Sequence, residues 1–436
     1  MEWWATLLVA AGLLLGLFFS GMPIFLAFLV INVCGVVVFL GPNAFGMVVN
    51  SVFDTTTTGT LTAIPLFVLM GEILFRSGST GVLFDAVDSL IGRVKGRQYV
   101  LAMSLATVFG ALSGSNMAVA AMMGRTVYPA MAERGYDSKL SIGVILAGAS
   151  LAPIIPPSVL AIIIATLANA SVAGLLIAGI LPGLLIAVLC LGYALGRCVL
   201  NPSLAPSAAA ADAPKNKDSS ALLQILRCAP FLIIIASVMG FILTGVATPS
   251  ESAATGVVGA LITAAIFRKL SLKMVWDSLG QAAIIASMIL IIMATSTMFS
   301  QLLAFSGATS KLASLVLNSE LSPGLILLLM MAVVFIFCMF IDQVALMLVV
   351  IPIYLPVVEA LQFDPMWFWM LMLLNVVIGG ITPPFGYAMF AFKGVAPDVD
   401  LRVIFASSLP IVGIFLLAML IIYWFPPIAT FLPGLL

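Results

Sequence analysis

Two prolines in a row cannot continue a helix, and this chain carries such a pair twice inside runs apolar enough to cross a membrane. The first reads Ala152-Pro153-Ile154-Ile155-Pro156-Pro157-Ser158 and the second Gly379-Gly380-Ile381-Thr382-Pro383-Pro384-Phe385-Gly386. Each proline removes a backbone donor and clashes with the preceding turn, leaving carbonyls with no helical partner. In hydrocarbon such a break is costly unless it lines a protected polar cavity. Matched breaks in the two halves of a membrane protein point to a transporter's binding site.

The surroundings of the breaks set the fold class. Of the 436 residues 63% are hydrophobic and only 8% charged, which excludes a soluble globular domain. Apolar runs recur from end to end and predict an all-α polytopic membrane protein of about ten helices plus shorter re-entrant pieces. The chain has no histidine, so imidazole metal ligation and histidine acid-base catalysis are excluded. Cys34, Cys190, Cys198, Cys228 and Cys338 show no paired spacing and read as small hydrophobes. The 17 basic and 17 acidic residues cancel, no basic tract suggests nucleic acid, and no Walker A motif is present. The first apolar run lacks a basic leader and merges into the next across Ser20-Gly21-Met22-Pro23, against a cleaved signal peptide.

The chain reads as two copies of one plan. Residues 1–200 form a first repeat, with scaffold helices, a hairpin over 98–131 broken at Ser113-Gly114-Ser115-Asn116, and a broken helix over 139–170. Helices are expected near 3–20, 23–41, 61–76 and 173–196, with a semi-polar interfacial piece at 43–58. Residues 201–227 are polar, proline-bearing and low in complexity, a linker. Residues 228–436 repeat the plan: helices near 229–247 and 250–267, an interfacial piece at 271–280, a helix to 305, a hairpin over 323–358 broken at Phe340-Ile341-Asp342-Gln343, a broken helix over 366–395, and a last helix to 425. Pro156 and Pro383 stand 227 residues apart, as do Pro129 and Pro356, and Ser115-Asn116 and Asp342-Gln343. Hairpin arms of about 15 residues, roughly 22 Å at helical rise, predict dips rather than full crossings. With both hairpins re-entrant, the basic clusters 93–97, 134–139, 197–227 and 268–273, Lys393 and Arg402 share one side, and Lys311 is the exception. That side is then cytoplasmic, both termini are periplasmic, and the second repeat is inverted.

Four breaks would therefore converge near the midplane. Hydroxyl, amide and carboxylate oxygens beside freed carbonyls are hard ligands for a small cation, and half-helix N-termini favour an anion. At the four breaks Asp342, Gln343, Pro156 and Pro383 are candidates for the cation, alongside the residues that the resemblance given below implies. The substrate set is Arg125, Asn116, Ser158, Thr297 and Pro384. Each has a plainer reading. Ser113–Asn116 could be only a tight turn, Asp342 a helix-end acid at the interface, and Arg125 a residue snorkelling to the basic surface. Thr295, Ser296, Thr297 and Ser300 could simply bond their preceding turn, and Glu72 could pair with Arg76 one turn on.

Gly71-Glu72-Ile73-Leu74-Phe75-Arg76-Ser77-Gly78, Ser113–Asn116 and Gly379–Gly386 together resemble the large membrane subunit of tripartite ATP-independent periplasmic (TRAP) transporters. The resemblance runs over essentially the whole chain. It implies an elevator transporter of the bacterial inner membrane that imports an organic anion, such as a sialic acid or a C4-dicarboxylate, driven by sodium. It implies two partners, a separate small four-helix membrane subunit and a periplasmic substrate-binding protein. It also implies sodium at Ser113, Gly114, Ser115, Asn116, Asp342, Gly379, Gly380 and Thr382. A stand-alone ion-coupled anion carrier of the same architecture is the alternative; an intramembrane enzyme and a channel are the readings outside it.

Overall fold

The computed structural model describes residues 2–41, 46–77, 87, 96–205 and 221–436. Among these residues every regular element is helical. Helices α1 (Trp3–Phe19), α2 (Ile24–Gly35, running into a π turn at Val36–Leu40), α3 (Gly46–Thr57) and α4 (Ala63–Arg76) open the chain. A hairpin follows, α5 (Arg97–Ser113) and α6 (Asn116–Glu133), and then an interrupted helix, α7 (Ser138–Ser150) and α8 (Val159–Leu167). Helices α9 (Val172–Ala178) and α10 (Ile180–Leu200) close this half.

The second half begins with α11 (Ala221–Leu243), α12 (Pro249–Ile266), α13 (Leu272–Phe305) and α14 (Ala308–Leu317). The second hairpin is α15 (Pro323–Cys338) and α16 (Gln343–Ala360), the second interrupted helix α17 (Pro365–Gly379) and α18 (Tyr387–Val395), and α19 (Leu401–Trp424) ends the bundle.

Side chains that cap backbone amides mark most of these starts. Asp137, Ser158 and Ser171 cap α7, α8 and α9, while Ser322, Asp364 and Asp400 cap α15, α17 and α19. Thr248 and Glu251 form a reciprocal capping box on α12. Helix α7 is buried on every side from Leu140 to Ser150, and α17 from Trp367 to Gly379. Helices apolar all round belong at a centre, and these two are it. Hairpin arm α6 packs on α18 of the other half, and α16 packs on α8. Helices α2, α3 and α4 instead pack with α12 or α13.

Several expectations are revised. Helix α13 is one continuous 34-residue helix, with no separate interfacial piece at 271–280. Nothing between Leu272 and Phe305 breaks it: Gly280 is a lone glycine and there is no proline. The polar stretch at 43–58 contains helix α3, where the hydroxyls of Thr55 to Thr58 bond carbonyls three or four residues back. Helix α14 was not anticipated. The linker is shorter than 201–227, because Pro202–Leu204 form a 3₁₀ turn and residues from Ala221 onward belong to α11. The remainder of that linker, and Arg93 and Lys95 of the first basic cluster, lie outside the described residues.

The hairpin arms are 17, 18, 16 and 18 residues long rather than about 15. Gln343–Ala360 alone has the length and composition to cross a membrane, so shortness does not argue for a dip there. Gly59–Arg76, Val172–Leu200, Leu272–Phe305 and Leu401–Trp424 qualify as well, whereas Trp3–Phe19, Ser138–Ser150, Pro323–Cys338 and Pro365–Gly379 are shorter apolar helices of 10–17 residues.

Candidate functional site

The two hairpin tips start their second arms alike, though they end their first arms differently. Gly114 takes φ +62°, a left-handed conformation that ends α5 and admits glycine without penalty. Ser115 then caps α6, its Oγ accepting from the Ala118 amide at 3.3 Å. At the other tip Asp342 caps α16, with Oδ1 accepting from the amides of Val344 and Ala345 at 2.9 and 3.3 Å. Residues 227 apart thus hold the same capping position, one a neutral hydroxyl and the other a carboxylate beside the positive end of its helix.

The two breaks differ. Both double prolines are joined by cis peptide bonds. In the first, Pro156, Pro157 and Ser158 are all buried. Ser158 Oγ donates to the Pro153 carbonyl at 2.6 Å and accepts from the Ala161 amide at 3.1 Å, so it bridges the gap and starts α8. In the second, Thr382 is buried and its hydroxyl donates to the Ile378 carbonyl at 2.7 Å, while Pro383 is half-buried and Pro384 and Phe385 are exposed. Gly386 starts α18 with no side-chain cap.

Tips and breaks meet. A Cβ on Gly114 would stand 3.8 Å from the Pro157 carbonyl oxygen and 3.9 Å from the Val159 nitrogen, which places the first tip on the first break. Phe340 and Phe385 pair with ring centroids 5.8 Å apart, joining the second tip to the second break, and Gly379 backs onto the Cys338 carbonyl. Across the two halves, Asn116 Nδ2 donates to the Tyr387 hydroxyl at 3.1 Å, and that hydroxyl donates to Gln343 Oε1 at 2.6 Å. Asn116 and Gln343 are equivalent positions, each first in its helix after the tip. Gly380 makes room for the linking ring, since a Cβ there would come within 2.6 Å of the Tyr387 hydroxyl.

The structure therefore gathers Gly114, Asn116, Pro157, Ser158, Asp342, Gln343, Gly379, Gly380 and Tyr387 into one assembly, with Ser113, Ser115 and Thr382 adjoining. Tyr387 is the member that the sequence reading missed. Its signal was modest: a lone tyrosine, first in an apolar half-helix immediately after Gly386. Thr297 is not brought in. Its hydroxyl donates to Met293 O in its own helix, whereas neighbouring Ser296 reaches Leu348 O of α16 at 2.8 Å.

Arg125 stands apart as well. It is exposed, and it lies nine residues beyond Asn116, ~13 Å along α6 at helical rise. Glu72 and Arg76 form a 2.8 Å ion pair, the structural role open to them.

The donors at the junction are hydroxyl, amide, carboxylate and main-chain oxygens, the hard set that suits a cation without d-electron preference. Their present commitments matter. Asn116 Oδ1 accepts from the Met117 amide at 2.8 Å, and Gln343 Oε1 accepts from Tyr387. Each such oxygen has a second lone pair for a further ligand.

Neither cavity we describe is a solute site at the tips. A crevice beside Ser113, walled by Gly71, Leu112, Val119 and Phe231, offers about 20 Å³, room for one water. A groove of about 550 Å³ between α15, α17 and α19 is apolar except for Asn375 and Tyr423 and includes no tip residue.

Comparison with known proteins bears on what such a junction does. The family model described as "Tripartite ATP-independent periplasmic transporter, DctM component" matches residues 11–428. The chain is 30% identical over 436 residues to the ectoine TRAP transporter large permease protein TeaC of Halomonas elongata, covering 99% of each. It is 28% identical over 401 residues to the C4-dicarboxylate TRAP transporter large permease protein DctM of Pseudomonas aeruginosa, covering 91% of this chain and 92% of that one. It is also 28% identical over 431 residues to the sialic acid TRAP transporter large permease protein SiaM of Vibrio cholerae, covering 97% of each. Among solved structures it resembles the YdaH transporter of Alcanivorax borkumensis, with TM-score 0.61, 16% identity, and 89% and 90% of the two chains covered. That likeness speaks to the fold alone.

Proposed function

The chain belongs to the DctM component family of the tripartite ATP-independent periplasmic transporters, and from that premise we propose that it imports a carboxylate-bearing organic solute, driven by sodium. It is a multi-pass membrane transporter component and not an enzyme. The observation that carries the proposal is the junction in which Asn116, Tyr387 and Gln343 tie the two hairpin tips together beside both helix breaks. Oxygen donors with spare lone pairs there suit sodium. The starts of α6, α8, α16 and α18 at the same junction bring partial positive charge for an anion.

The solute class is read from chemistry shared among relatives. Ectoine, C4-dicarboxylates and sialic acid, which name the relatives' transporters, each carry a carboxylate. An organic acid of that kind is the cargo we propose here. The hairpins and interrupted helices of both inverted repeats would move as one body, an elevator motion against a scaffold of α1–α4 and α11–α13. A separate small membrane subunit would enlarge the scaffold, and a periplasmic binding protein would deliver the solute. The chain would sit in the bacterial inner membrane with both termini periplasmic.

Reconstitution into proteoliposomes with the two partner proteins tests this. Uptake of candidate organic acids should require an inward sodium gradient and the binding protein. Uptake that ignores sodium would overturn the coupling, and uptake without the binding protein would favour the stand-alone carrier.

A further inference from the structure

We infer that Tyr387 is a positioning residue that makes the two hairpin tips respond to sodium as one unit, an inference that rests on the sodium-coupled reading above. Its hydroxyl is the only atom that the described hydrogen bonds place between the tips, accepting from Asn116 at 3.1 Å and donating to Gln343 at 2.6 Å. The contact crosses the halves of the chain, because α18 packs on α6. It also fixes polarity. A phenol that accepts from one amide and donates to the other holds the Gln343 carbonyl oxygen toward itself and the Asn116 amide group toward itself.

The positions at either end are the equivalent first residues of α6 and α16, one step past the capping residues Ser115 and Asp342. A cation that draws on the oxygens of either tip must therefore shift that tip's first helical residue, and the phenol passes the shift to the other tip. Hydrogen bonds in series strengthen one another, so their loss is felt by both members. Coupling between two sites is a free energy shared by both, and removing its carrier should weaken both. The surroundings keep the ring in place. Gly380 leaves room for it, and the Ala388 amide bonds the Gly380 carbonyl at 3.0 Å, tying α18 to the end of α17.

Tyr387→Phe removes the hydroxyl and keeps the ring. In proteoliposomes we expect the half-saturating sodium concentration to rise about threefold to tenfold, the effect of losing roughly one net hydrogen bond. The steepness of the sodium curve should fall toward that of independent sites, and the uptake deficit should shrink as sodium rises. Gln343→Met removes the acceptor from the other end together with a candidate cation oxygen, so its curve should shift at least as far. The double variant should match Gln343→Met alone rather than compound the two.

A rate loss equal at all sodium concentrations in both variants would overturn the inference, since a merely structural role gives that result. A double variant whose effects add would overturn it too, as would an unchanged curve. Should Tyr387→Phe fail to fold, the steepness of the sodium curve in Gln343→Met still reads the link. Wild-type uptake that is flat in sodium would instead sink the transport reading on which the link depends.

Discussion

Asp137 and Asp364, 227 residues apart, start the two central helices in the same way. Each carboxylate Oδ1 accepts from the amide three residues on, Leu140 at 2.8 Å and Trp367 at 2.9 Å. Both helices are then buried on all sides. Each cap sits at the outer end of its helix, Asp364 exposed and Asp137 half-buried, and pairs an amide that the first turn leaves without a helical partner just before the buried segment begins. From these two helices the chain breaks at the double prolines, and the breaks therefore inherit fixed positions.

Replacing either capping acid should loosen the centre. Asp137→Ala and Asp364→Ala should each cost about 1 kcal/mol, the usual loss for an N-cap, and Asn at either position should recover most of it. Thermal unfolding in detergent reads this directly. Alanine variants as stable as the parent would mean that the caps contribute nothing measurable.

Asp342 holds two roles that one substitution separates. Asn caps a helix about as well as Asp, so Asp342→Asn should leave stability within a few tenths of a kcal/mol. It removes the only formal charge at either tip, so the half-saturating sodium concentration should rise by about tenfold, on the order of one charge-assisted ligand. A sodium curve identical to wild type would reduce Asp342 to a cap.

Much of this was legible in the chain itself, and the reasons are physical. Proline and glycine act locally, so the interruptions at 113–116, 152–158 and 379–386 could be placed from residue type alone, and the repeat spacing of 227 placed the one at 340–343. Repeats carry their own ruler, and a spacing of 227 that aligned Ser115 with Asp342 in the sequence also aligns them as caps in the structure. What escaped was anything decided by packing. Helix α13 runs unbroken through the expected boundary near 280, where a lone glycine and no proline leave the helix intact. Tyr387 was missed because its significance lies in Asn116, 271 residues away, and in Gln343, 44 residues away. Arg125 was named for its charge in an apolar arm, and helical rise places it ~13 Å along α6 from the tip.

That placement gives Arg125 its own expectation. Arg125→Ala should change the half-saturating solute concentration less than about twofold, the small effect typical of an exposed surface position. Uptake measured against solute concentration at saturating sodium checks it. A rise of tenfold or more, with the sodium curve unmoved, would restore Arg125 as the group that receives the carboxylate.

Gly380→Ala tests the same junction from its floor. The added Cβ would stand 2.6 Å from both Cζ and the hydroxyl of Tyr387, closer than side-chain carbons approach. The backbone at 380 cannot easily retreat, because its carbonyl accepts from the Ala388 amide at 3.0 Å. The ring is what must yield, leaving Asn116 and Gln343 without their shared partner. We expect a loss of about 1–3 kcal/mol in stability, the usual cost of overpacking. The sodium curve should also move as it does for Tyr387→Phe. Adding Tyr387→Ala to Gly380→Ala removes the clash, so stability should return while the sodium response stays impaired. Adding Tyr387→Phe should restore neither, since the ring remains in the way. Stability that recovers equally with Phe and with Ala would show that the hydroxyl alone collides, and a Gly380→Ala variant indistinguishable from wild type would mean that the ring has room to move aside.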